Sequence, residues 1–426
     1  MAPESAPNAR PAAAVVGSGV AGLTAAHLLQ RRYDVTLFEA DARLGGHAHT
    51  HELPGRTGTV GVDSGFIVHN ERTYPNLLRL FGELGVATQP SEMSMSVRCD
   101  GCGLEYAGAR KLGGLFPTLA GARRPAYLRM LGEVARFHRH ARRVLRDEHA
   151  GDVTLGAFLA IGGYSRYFVE HFMLPVVACV WSAGETISMR YPARYLFTFL
   201  DHHGLLSIGD SPQWRTVVGG SRSYVERAVK SLSAVHQATP VRSVRRLARG
   251  VEIRDDGDTA HAFDHVVIAT HPQHALALRD APSERERAAL GPITYSANLT
   301  QLHRDTSVLP RAPRARASWN YLKQGCSSTD APVLVSYDMN RLQRLDTPDA
   351  HIVTLNGTAR VDQSQVLATM HYEHPIYTPE SVAAQRLLPA LNDGTLAYAG
   401  AYHGWGFHED GCAAGVRAAA SLGVGW

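Results

Sequence analysis

Hydrophobic positions near the start of the chain form two short apolar runs on either side of a segment rich in Ala and Leu. Residues 12–16 (AAAVV) and 33–40 (YDVTLFEA) have the length and character of strands, and the segment between them has the composition of a helix that follows a glycine turn. The order strand, turn, helix, strand predicts a βαβ unit, from which parallel sheets covered by helices are built.

Further along the chain the pattern changes from helical to alternating. Residues 74–200 are predicted to be mostly helical, whereas residues 293–375 alternate between apolar and polar positions as strands do. Residues 239–272 predict short strands, an acidic turn and the buried strand HVVIAT. Residues 396–423 predict a strand, a linker and a helix. These patterns indicate a mostly helical segment and a second group of strands, in addition to the βαβ part.

Three glycines occupy the predicted turn between the first strand and the first helix. Gly17, Gly19 and Gly22 fit the pattern G-x-G-x-x-G. The first makes the turn, the second lets the backbone approach a pyrophosphate, and the third lets helix and strand pack closely. Glu39 ends the second strand, roughly 20 residues after the first glycine, at the spacing of an acid that binds a ribose. A carboxylate there repels a 2′-phosphate, so the pattern predicts a dinucleotide other than NADP.

A second glycine pair follows this acid at once. Arg43, Gly45 and Gly46 complete the pattern E-x-x-x-R-x-G-G from Glu39. This pattern resembles the second nucleotide motif of FAD enzymes of the amine-oxidase and phytoene-desaturase superfamily. In that family the glycines let the chain pass close to the flavin diphosphate. An NAD dehydrogenase has no reason to keep a second glycine turn, so the resemblance implies that the cofactor is FAD.

Two middle segments extend the resemblance. The family returns to its FAD domain through a segment similar to residues 239–272, with a valine at the position of Val241 packing near the adenine. Residues 58–70 resemble the strand that enters the substrate cavity. Stretches such as GFIVHNERTYPNL and GFHEDG are similar to a bacterial branch of amine-oxidase-like NAD/FAD-binding proteins.

The C-terminal segment resembles the family's last signature. Within residues 396–423, Gly400 and Glu409 match the family pattern, and Asp410 stands where relatives usually carry Gly. The resemblance implies that these residues lie against the flavin. A helix that begins there would stabilise negative charge on the reduced ring.

The resemblance implies an α/β fold. It consists of a Rossmann-like FAD-binding domain of the glutathione-reductase-like type found in amine oxidases, joined to a substrate domain of mixed sheet and helices. The expected division is a disordered tail at residues 1–13, an FAD-binding domain at 14–73, 205–275 and 395–426, and a substrate domain at 74–204 (helical cap) and 276–394 (sheet at 293–376).

Aromatic residues are expected to line the substrate cavity beside the flavin, where they hold a substrate carbon close to the ring and exclude water. The candidates come from the segments near the predicted cavity strand, the cap and the C-terminal signature. They are Phe66, Trp181, Tyr402, Trp405 and Phe407.

Isomerisation or desaturation also requires a group that transfers a proton. His69, His403 and His408 are the candidates, although each can instead be a structural histidine. Many amine oxidases use a lysine near the flavin. Lysines are scarce in this chain, and Lys323 is the available counterpart, which weakens an amine-oxidase assignment.

The resemblance implies an FAD-dependent oxidoreductase or a flavin-dependent isomerase, since members of the superfamily oxidise amines, desaturate lipids or carotenoids, or move double bonds in fatty acids. Apolar stretches such as HFMLPVVACVW in the predicted cap favour a hydrophobic unsaturated substrate, either a fatty acyl chain or a polyene. The predicted reaction is hydride abstraction that gives double-bond isomerisation or desaturation. A flavin amine oxidase and a non-catalytic flavoprotein that binds a partner are the alternatives.

Composition argues against a nucleic-acid-binding protein, a disulfide-rich protein and a metal protein. The chain is 45% hydrophobic and 19% charged with a net charge of +4, which is ordinary for a globular protein and too weakly basic to indicate nucleic-acid binding. Five scattered cysteines do not form a disulfide framework, so a reducing cytoplasm is predicted. Cys99 and Cys102 form a single C-x-x-C without a second pair. A hairpin turn is therefore favoured there and no metal site is expected.

One predicted helix, residues 123–146, is basic and amphipathic. The favoured interpretation is a core helix with a solvated back, and the alternative is peripheral contact with an anionic membrane or an acidic partner. No stretch reaches the ~18 apolar residues that a membrane span requires. The sequence leaves the oligomeric state open.

Overall fold

A computed structural model describes residues 10–426, apart from residues 109–110, 148, 150, 207–208, 210 and 328–331. The first nine residues of the predicted tail lie outside this description. The first strand begins at Ala12, one residue before the expected end of the tail at residue 13, because it is paired with a strand on each side.

The strands of the described residues fall into two main sheets and three small ones. In chain order they are β1 (Ala12–Val16), β2 (Asp34–Phe38), β3 (Thr50–Pro54), β4 (Thr59–Asp63), β5 (His69–Asn70), β6 (Thr88–Pro90), β7 (Met95–Cys99), β8 (Leu104–Ala107), β9 (Trp214–Val217), β10 (Ala234–His236), β11 (Val241–Arg246), β12 (Val251–Asp255), β13 (Ala260–Phe263), β14 (His265–Ile268), β15 (Tyr295–His303), β16 (Trp319–Lys323), β17 (Val335–Asp338), β18 (Ile352–Leu355), β19 (Val366–Pro375) and β20 (Leu396–Tyr398).

Half of the helices in the described part of the chain, α3 to α10, lie between positions 111 and 202. In chain order they are α1 (Val20–Leu29), α2 (Pro75–Leu84), α3 (Lys111–Leu115), α4 (Leu119–Ala122), α5 (Pro125–Arg146), α6 (Leu155–Ile161), α7 (Arg166–Phe168), α8 (Leu174–Trp181), α9 (Glu185–Arg190), α10 (Ala193–His202), α11 (Arg222–Val229), α12 (Pro272–Ala277), α13 (Glu284–Leu290), α14 (Met339–Gln343), α15 (Pro379–Gln385) and α16 (His408–Ser421). A π turn at Val169–Met173 joins α7 to α8.

Five parallel strands form the first main sheet, in the order β10-β2-β1-β14-β20. Alternate residues of β1 point to opposite faces. Ala13 and Val15 pack with α1, α11 and α16, whereas Ala14 and Val16 pack with β11, β12 and α13. Both faces are covered, so these strands are continuous apolar runs. Ligand crevices of such sheets lie at the carboxyl ends of the strands.

The second main sheet has seven strands, in the order β19-β15-β18-β17-β16-β7-β8. The strands predicted within residues 293–376 are all present. The prediction that residues 74–204 are mostly helical is wrong for β7 and β8. Both strands are largely buried and form a hairpin, and β7 pairs in parallel with β16. The turn predicted at Cys99–Cys102 is the turn of this hairpin.

The boundary between the FAD-binding domain, which we call the nucleotide side, and the substrate domain also differs from the predicted one. The helix α2 packs against α11 and α16, and β6 pairs with β9. Leu77 and Leu80 of α2 are buried in the core beneath the parallel sheet. Residues 74–94 therefore belong to the nucleotide side, and the cap proper consists of α3 to α10. Its core is rich in aromatic side chains such as Phe137 and Phe168.

The predicted basic helix is α5. Its buried face consists of Tyr127, Met130, Glu133, Phe137 and Ala141, most of which join the core of the cap. The apolar side of α5 is thus used inside the protein, which supports the core interpretation. Contact of this helix with a membrane stays a prediction. Among the helices of the described residues, none is both long and apolar enough to cross a bilayer.

Two helix glycines should respond in opposite ways to a methyl group. A Cβ on Gly415, in α16, would lie 2.4 Å from the carbonyl oxygen of Ala21 in α1, whereas a Cβ on the exposed Gly82, in α2, would meet no described atom within 4 Å. We expect Gly415→Ala to destabilise the fold by about 1–3 kcal/mol, because backbone must move. We expect Gly82→Ala to stabilise it by about 0.5–1 kcal/mol.

Thermal unfolding of the two variants measures both effects. Shifts of the same sign would contradict the close packing of α16 on α1.

Candidate active site

A cavity of about 1760 Å³ extends from the carboxyl edge of the parallel sheet into the space between the mixed sheet and the cap. One end is lined by the glycine turn after β1, and the other end by cap helices such as α5 and α8. The chain therefore holds one continuous space that is bounded by both halves of the fold.

The glycines of the first turn each have the geometry that their motif requires. Gly17 has a φ of +102°, and a Cβ there would lie 2.8 Å from the carbonyl oxygen of Ala269. A Cβ on Gly22 would lie 1.9 Å from the carbonyl oxygen of Gly17, so only glycine allows α1 to approach β1. A Cβ on Gly19 would meet no described atom within 4 Å. Gly19 lines the cavity, so its missing side chain leaves room for a ligand at the start of α1.

Glu39 lies at the end of β2 and lines the cavity. Its carboxylate accepts hydrogen bonds from the N–H and the hydroxyl of Ser18, with a distance of 2.8 Å for the N–H. The same hydroxyl accepts the N–H of Gly45 at 2.9 Å. Ser18 thus connects both glycine motifs to the acid, and sequence reasoning missed it. Its position between two motif glycines was the available signal.

Arg43 shapes the second glycine turn. Its guanidinium donates to the carbonyl oxygens of Leu44 (3.0 Å), Gly46 (2.6 Å) and Ala48 (3.0 Å). A Cβ on Gly46 would lie 3.2 Å from the Cα of Gly19, so the two glycine turns lie directly against each other. Together they form a cradle of backbone that suits a diphosphate.

The loop between β20 and α16 forms the opposite wall. Gly400 lines the cavity, and Gly406 has a φ of +90° beside Pro375 and Tyr377. The helix α16 starts at His408, which also lines the cavity. Two helix N-termini, those of α1 and α16, therefore border the space and favour negative charge there.

Glu409 and Asp410 do not line the cavity, in contrast to the implication of the resemblance. Glu409 accepts hydrogen bonds from the backbone N–H groups of Asn76 and Leu77, at 3.1 and 3.0 Å, and so caps the start of α2. Asp410 accepts the N–H of Phe407 at 2.9 Å. Both carboxylates hold the loop and helices around the site.

Val241, expected near the adenine, begins β11 and packs against the core on the far face of the parallel sheet. It does not line the cavity. Thr239, two residues before Val241, lies beside Glu39, since its N–H donates to the carbonyl oxygen of Glu39 at 2.8 Å.

Of the three histidines proposed for proton transfer, the cavity lining includes His408 alone. Its ring stacks on Phe66 at 3.7 Å, and its Nε2 lies 3.1 Å from the hydroxyl of Tyr224. Burial lowers the pKa of His408 to about 3. His69 and His403 are buried outside the cavity lining, and burial lowers the pKa of His69 to about 4. A catalytic role for these two is not supported by their positions.

The structure places all five aromatic candidates at the cavity wall, and hydrogen bonds and stacking fix several of them. The indole N–H of Trp181 donates to the carbonyl oxygen of Trp405 at 3.0 Å. Phe407 stacks on Phe199 with ring centroids 4.9 Å apart. The remaining members of the set are Phe66 and Tyr402.

The mixed sheet and the segment after β14 contribute polar groups that sequence reasoning missed. His271, after β14, lies 2.8 Å from a carboxylate oxygen of Glu373, and both line the cavity. His374 also lines it, with its Nδ1 3.1 Å from the hydroxyl of Ser182, and burial lowers its pKa to about 4. The run HYEHP in β19 was the available signal, but only pairing with β15 shows which residues face the cavity.

The cap contributes a wall without acidic or basic side chains. Of its described residues that line the cavity, none is Asp, Glu, Lys or Arg. We call these residues the cap wall: Leu112, Leu115, Met130, Leu131, Val134, Ala135, Phe137, His138, Phe172, Met173, Val176, Cys179, Val180, Trp181, Ser182, Phe199, Leu200, His203, Gly204, Leu205 and Gly209.

Lys323 is not positioned as the expected flavin lysine. Its ammonium lies 2.6 Å from a carboxylate oxygen of Glu170, and both side chains are 4% exposed. Neither residue lines the cavity. The pair lies between the end of β16 and the π turn of the cap, so it joins the sheet to the cap.

Gly19 provides a test of the cradle. We expect Gly19→Trp to lose bound flavin, because the indole would fill the space that the diphosphate needs. Gly82→Ala, at an exposed position of α2 outside the cavity lining, is the control and should retain flavin. Flavin absorbance per protein after gel filtration measures both variants. Full retention by the Trp variant would contradict this site.

Asp410 predicts a pH dependence of stability. Burial raises the pKa of its carboxyl group from 3.8 to about 7, so between these values the folded protein holds a proton that the unfolded chain has released. The resulting stabilisation is fully present below about pH 4 and is lost as the pH rises through about 7.

Asp410→Asn keeps an oxygen for the N–H of Phe407 but cannot titrate. We expect the wild type to gain stability relative to this variant as the pH is lowered from about 8 to about 5, measured by thermal unfolding. A constant difference over that range would contradict the shifted pKa.

The sequence matches the family model for flavin containing amine oxidoreductases over residues 20–422. Three solved structures are similar at TM-scores of 0.66–0.69. They are cyclohexylamine oxidase from Brevibacterium oxydans (TM-score 0.69, 18% identity, 97% of this chain and 98% of that chain), a CLA-producing fatty acid isomerase from P. acnes (0.66, 16%, 95% and 97%) and putrescine oxidase bound to putrescine (0.67, 15%, 97% and 98%).

At sequence identities of 15–18%, the likeness to these three structures shows the fold alone. No curated protein sequence matches the chain. The family match covers nearly the whole chain, and the cradle of glycine turns, the carboxylate of Glu39 at the end of β2 and the two helix N-termini fit FAD. The chain therefore belongs to the flavin-containing amine oxidoreductase family and is an FAD-dependent enzyme with the α/β fold of that family.

Proposed function

We propose that this enzyme removes a hydride from a C–H bond next to a double bond of a hydrophobic substrate, either a fatty acyl chain or a polyene. Bound FAD supplies the hydride acceptor. The net reaction is a shift of the double bond when the hydride returns to another carbon of the substrate. When the substrate instead also loses a proton and oxygen takes the electron pair, the net reaction is the introduction of a further double bond. The uncharged cap wall is the observation that carries this proposal.

The cap wall suits an apolar chain because an ionised group placed there would lose its hydration without gaining a partner. Its two histidines do not change this character. Burial lowers the pKa of both His138 and His203 to about 4, so both rings are neutral near pH 7. Methionine and aliphatic side chains from α5 and α8 make up much of the remaining surface.

The aromatic residues at the junction of cap and nucleotide side would orient the substrate and exclude water. Trp181 is held by its hydrogen bond to the backbone of Trp405, whose own indole N–H donates to the carbonyl oxygen of Tyr195 at 3.4 Å. Phe407 is held by stacking on Phe199. A rigid aromatic wall of this kind positions the reacting carbon and keeps bulk water out.

For proton transfer we favour His374 over the three histidines named from the sequence. It lines the cavity on the mixed-sheet side and is neutral near pH 7, so it can accept a proton. The hydroxyl of Ser182 orients its ring. His408 acts instead as a positioning residue, because stacking on Phe66 and contact with Tyr224 hold it in place.

Amine oxidation is the second candidate. The carboxylate of Glu373 lies in the cavity beside His271 and could attract a substrate ammonium group. Two of the similar structures are amine oxidases, and one is a fatty acid isomerase. We favour the apolar substrate because the carboxylate of Glu373 lies only on the sheet side, whereas the larger cap wall is uncharged.

Anaerobic mixing of the flavin-loaded enzyme with an unsaturated fatty acid, a polyene and a primary amine distinguishes these candidates. We expect flavin bleaching, or product with a moved double bond and no bleaching, from the fatty acid or the polyene. Bleaching by the amine alone would overturn the proposal in favour of amine oxidation. No response to any of the three compounds would overturn both.

Variants of Val176 in the cap wall extend this experiment. We expect Val176→Glu to raise the KM for the apolar substrate at least about tenfold, because a carboxylate must be desolvated against the chain. Val176→Thr has nearly the same shape and no charge, and is the matched control. Equal kinetics of the two variants, with flavin fully retained, would show that α8 does not contact the substrate.

A further inference from the structure

Four side chains with soft metal-ligating atoms meet outside the active-site cavity. Cys99 and Cys102 come from the β7–β8 turn, Cys326 from the loop after β16, and His171 from the π turn of the cap. Their sulfur and ring nitrogen atoms all lie within 4.8 Å of one another. The sulfurs of Cys99 and Cys326 are 4.0 Å apart, and the sulfur of Cys102 lies 3.6 Å from Nε2 of His171.

We propose that these four residues bind a Zn²⁺ ion in a structural site with three thiolates and one imidazole. Zinc in such sites is tetrahedral, with Zn–S distances of about 2.3 Å and Zn–N distances of about 2.0 Å, which puts neighbouring ligand atoms about 3.5–3.8 Å apart. The distances of 4.0 and 3.6 Å come close to this geometry without a metal. Thiolate with imidazole is a ligand set that selects zinc over harder cations.

Neighbouring groups hold the ligands in orientations that suit a metal. The backbone N–H of Gly103 donates to the carbonyl oxygen of Cys99 at 2.8 Å and closes the turn that carries Cys99 and Cys102. Nδ1 of His171 lies 3.2 Å from the carbonyl oxygen of Tyr167, so Nδ1 carries the proton and Nε2 is available as a ligand. Metal-binding histidines are oriented in this way by a partner on the other ring nitrogen.

Glycines allow the two loops to approach each other. Gly103, directly after Cys102, has a φ of +68°. A Cβ on Gly101 would lie 2.8 Å from the backbone nitrogen of Cys326 and 3.0 Å from the Cα of Gly325. A side chain at position 101 would therefore force the loops apart and move Cys326 away from the other ligands.

The sequence predicted no metal site because the C-x-x-C stands alone. The missing ligands are distant in the chain, since His171 follows Cys102 by 69 residues and Cys326 follows Cys99 by 227. The parallel pairing of β7 with β16, and the packing of the cap on this end of the sheet, bring them together.

The position of the site indicates its role. It fastens the cap to the mixed sheet beside the buried pair of Lys323 and Glu170. Phe172 and Met173, which follow His171 directly, line the active-site cavity. Zinc would thus hold one part of the cap wall in place. This inference does not depend on the proposed substrate.

Metal analysis of the flavin-loaded protein, purified without chelators, tests the site. We expect about one zinc per chain, with X-ray absorption showing three sulfur atoms at about 2.3 Å and one nitrogen at about 2.0 Å. Cys326→Ser and His171→Ala should each lower the zinc content at least tenfold while flavin is retained. Cys412→Ser changes a buried cysteine in α16 outside the cluster and should keep both zinc and flavin.

Alkylation of Cys326 and the zinc content of the wild type keep the proposal falsifiable if His171→Ala fails to fold. Cys326 is exposed, so its alkylation should be slow in the wild type and fast after zinc is removed by a chelator, with flavin still bound. The proposal is overturned by less than about a tenth of an equivalent of zinc in wild type grown with added zinc. It is also overturned if both cluster variants keep their zinc, or if a disulfide links any two of the three cysteines.

Discussion

The contact between the two glycine turns is the constraint on which the rest of the structure depends. Gly19 and Gly46 approach so closely that a Cβ on Gly46 would lie 3.2 Å from the Cα of Gly19, and Ser18 ties both turns to Glu39. This leaves a crevice bordered by backbone at the carboxyl edge of the parallel sheet, where the helices α1 and α16 also begin. Side chains at these positions would fill the space that a diphosphate requires.

The cavity has two chemically different ends, and each half of the fold supplies one. The nucleotide side presents backbone amides, Glu39 and Arg43, whereas the cap presents aliphatic, aromatic and neutral groups. Burial keeps the histidines along this cavity uncharged, as the lowered pKa values of His138, His374 and His408 show. An uncharged wall beside a flavin site suits hydride chemistry, because it disfavours water and stray charge near the reacting atoms.

Several residues that resemble cofactor ligands in sequence have architectural roles instead. Glu409 caps α2, Asp410 holds the loop before α16, and Lys323 pairs with a cap residue. In each case the motif identified the correct neighbourhood but not the partner. A carboxylate or ammonium group reaches several ångströms from its backbone, and its partner is decided by whichever donor or acceptor the neighbouring elements bring within reach. The same reason explains why His374 and Glu373 were missed.

The sequence by itself determined the parallel sheet, the two glycine turns, the acid at the end of β2 and the family, because each depends on local backbone conformation or on short spacing along the chain. It also predicted the strands of the mixed sheet from their alternation. Only the tertiary structure decided that β7 and β8 join that sheet, that α2 belongs to the nucleotide side, and that His171 and Cys326 meet Cys99 and Cys102. These outcomes depend on contacts between segments far apart in the chain, for which local hydrophobic pattern carries no information.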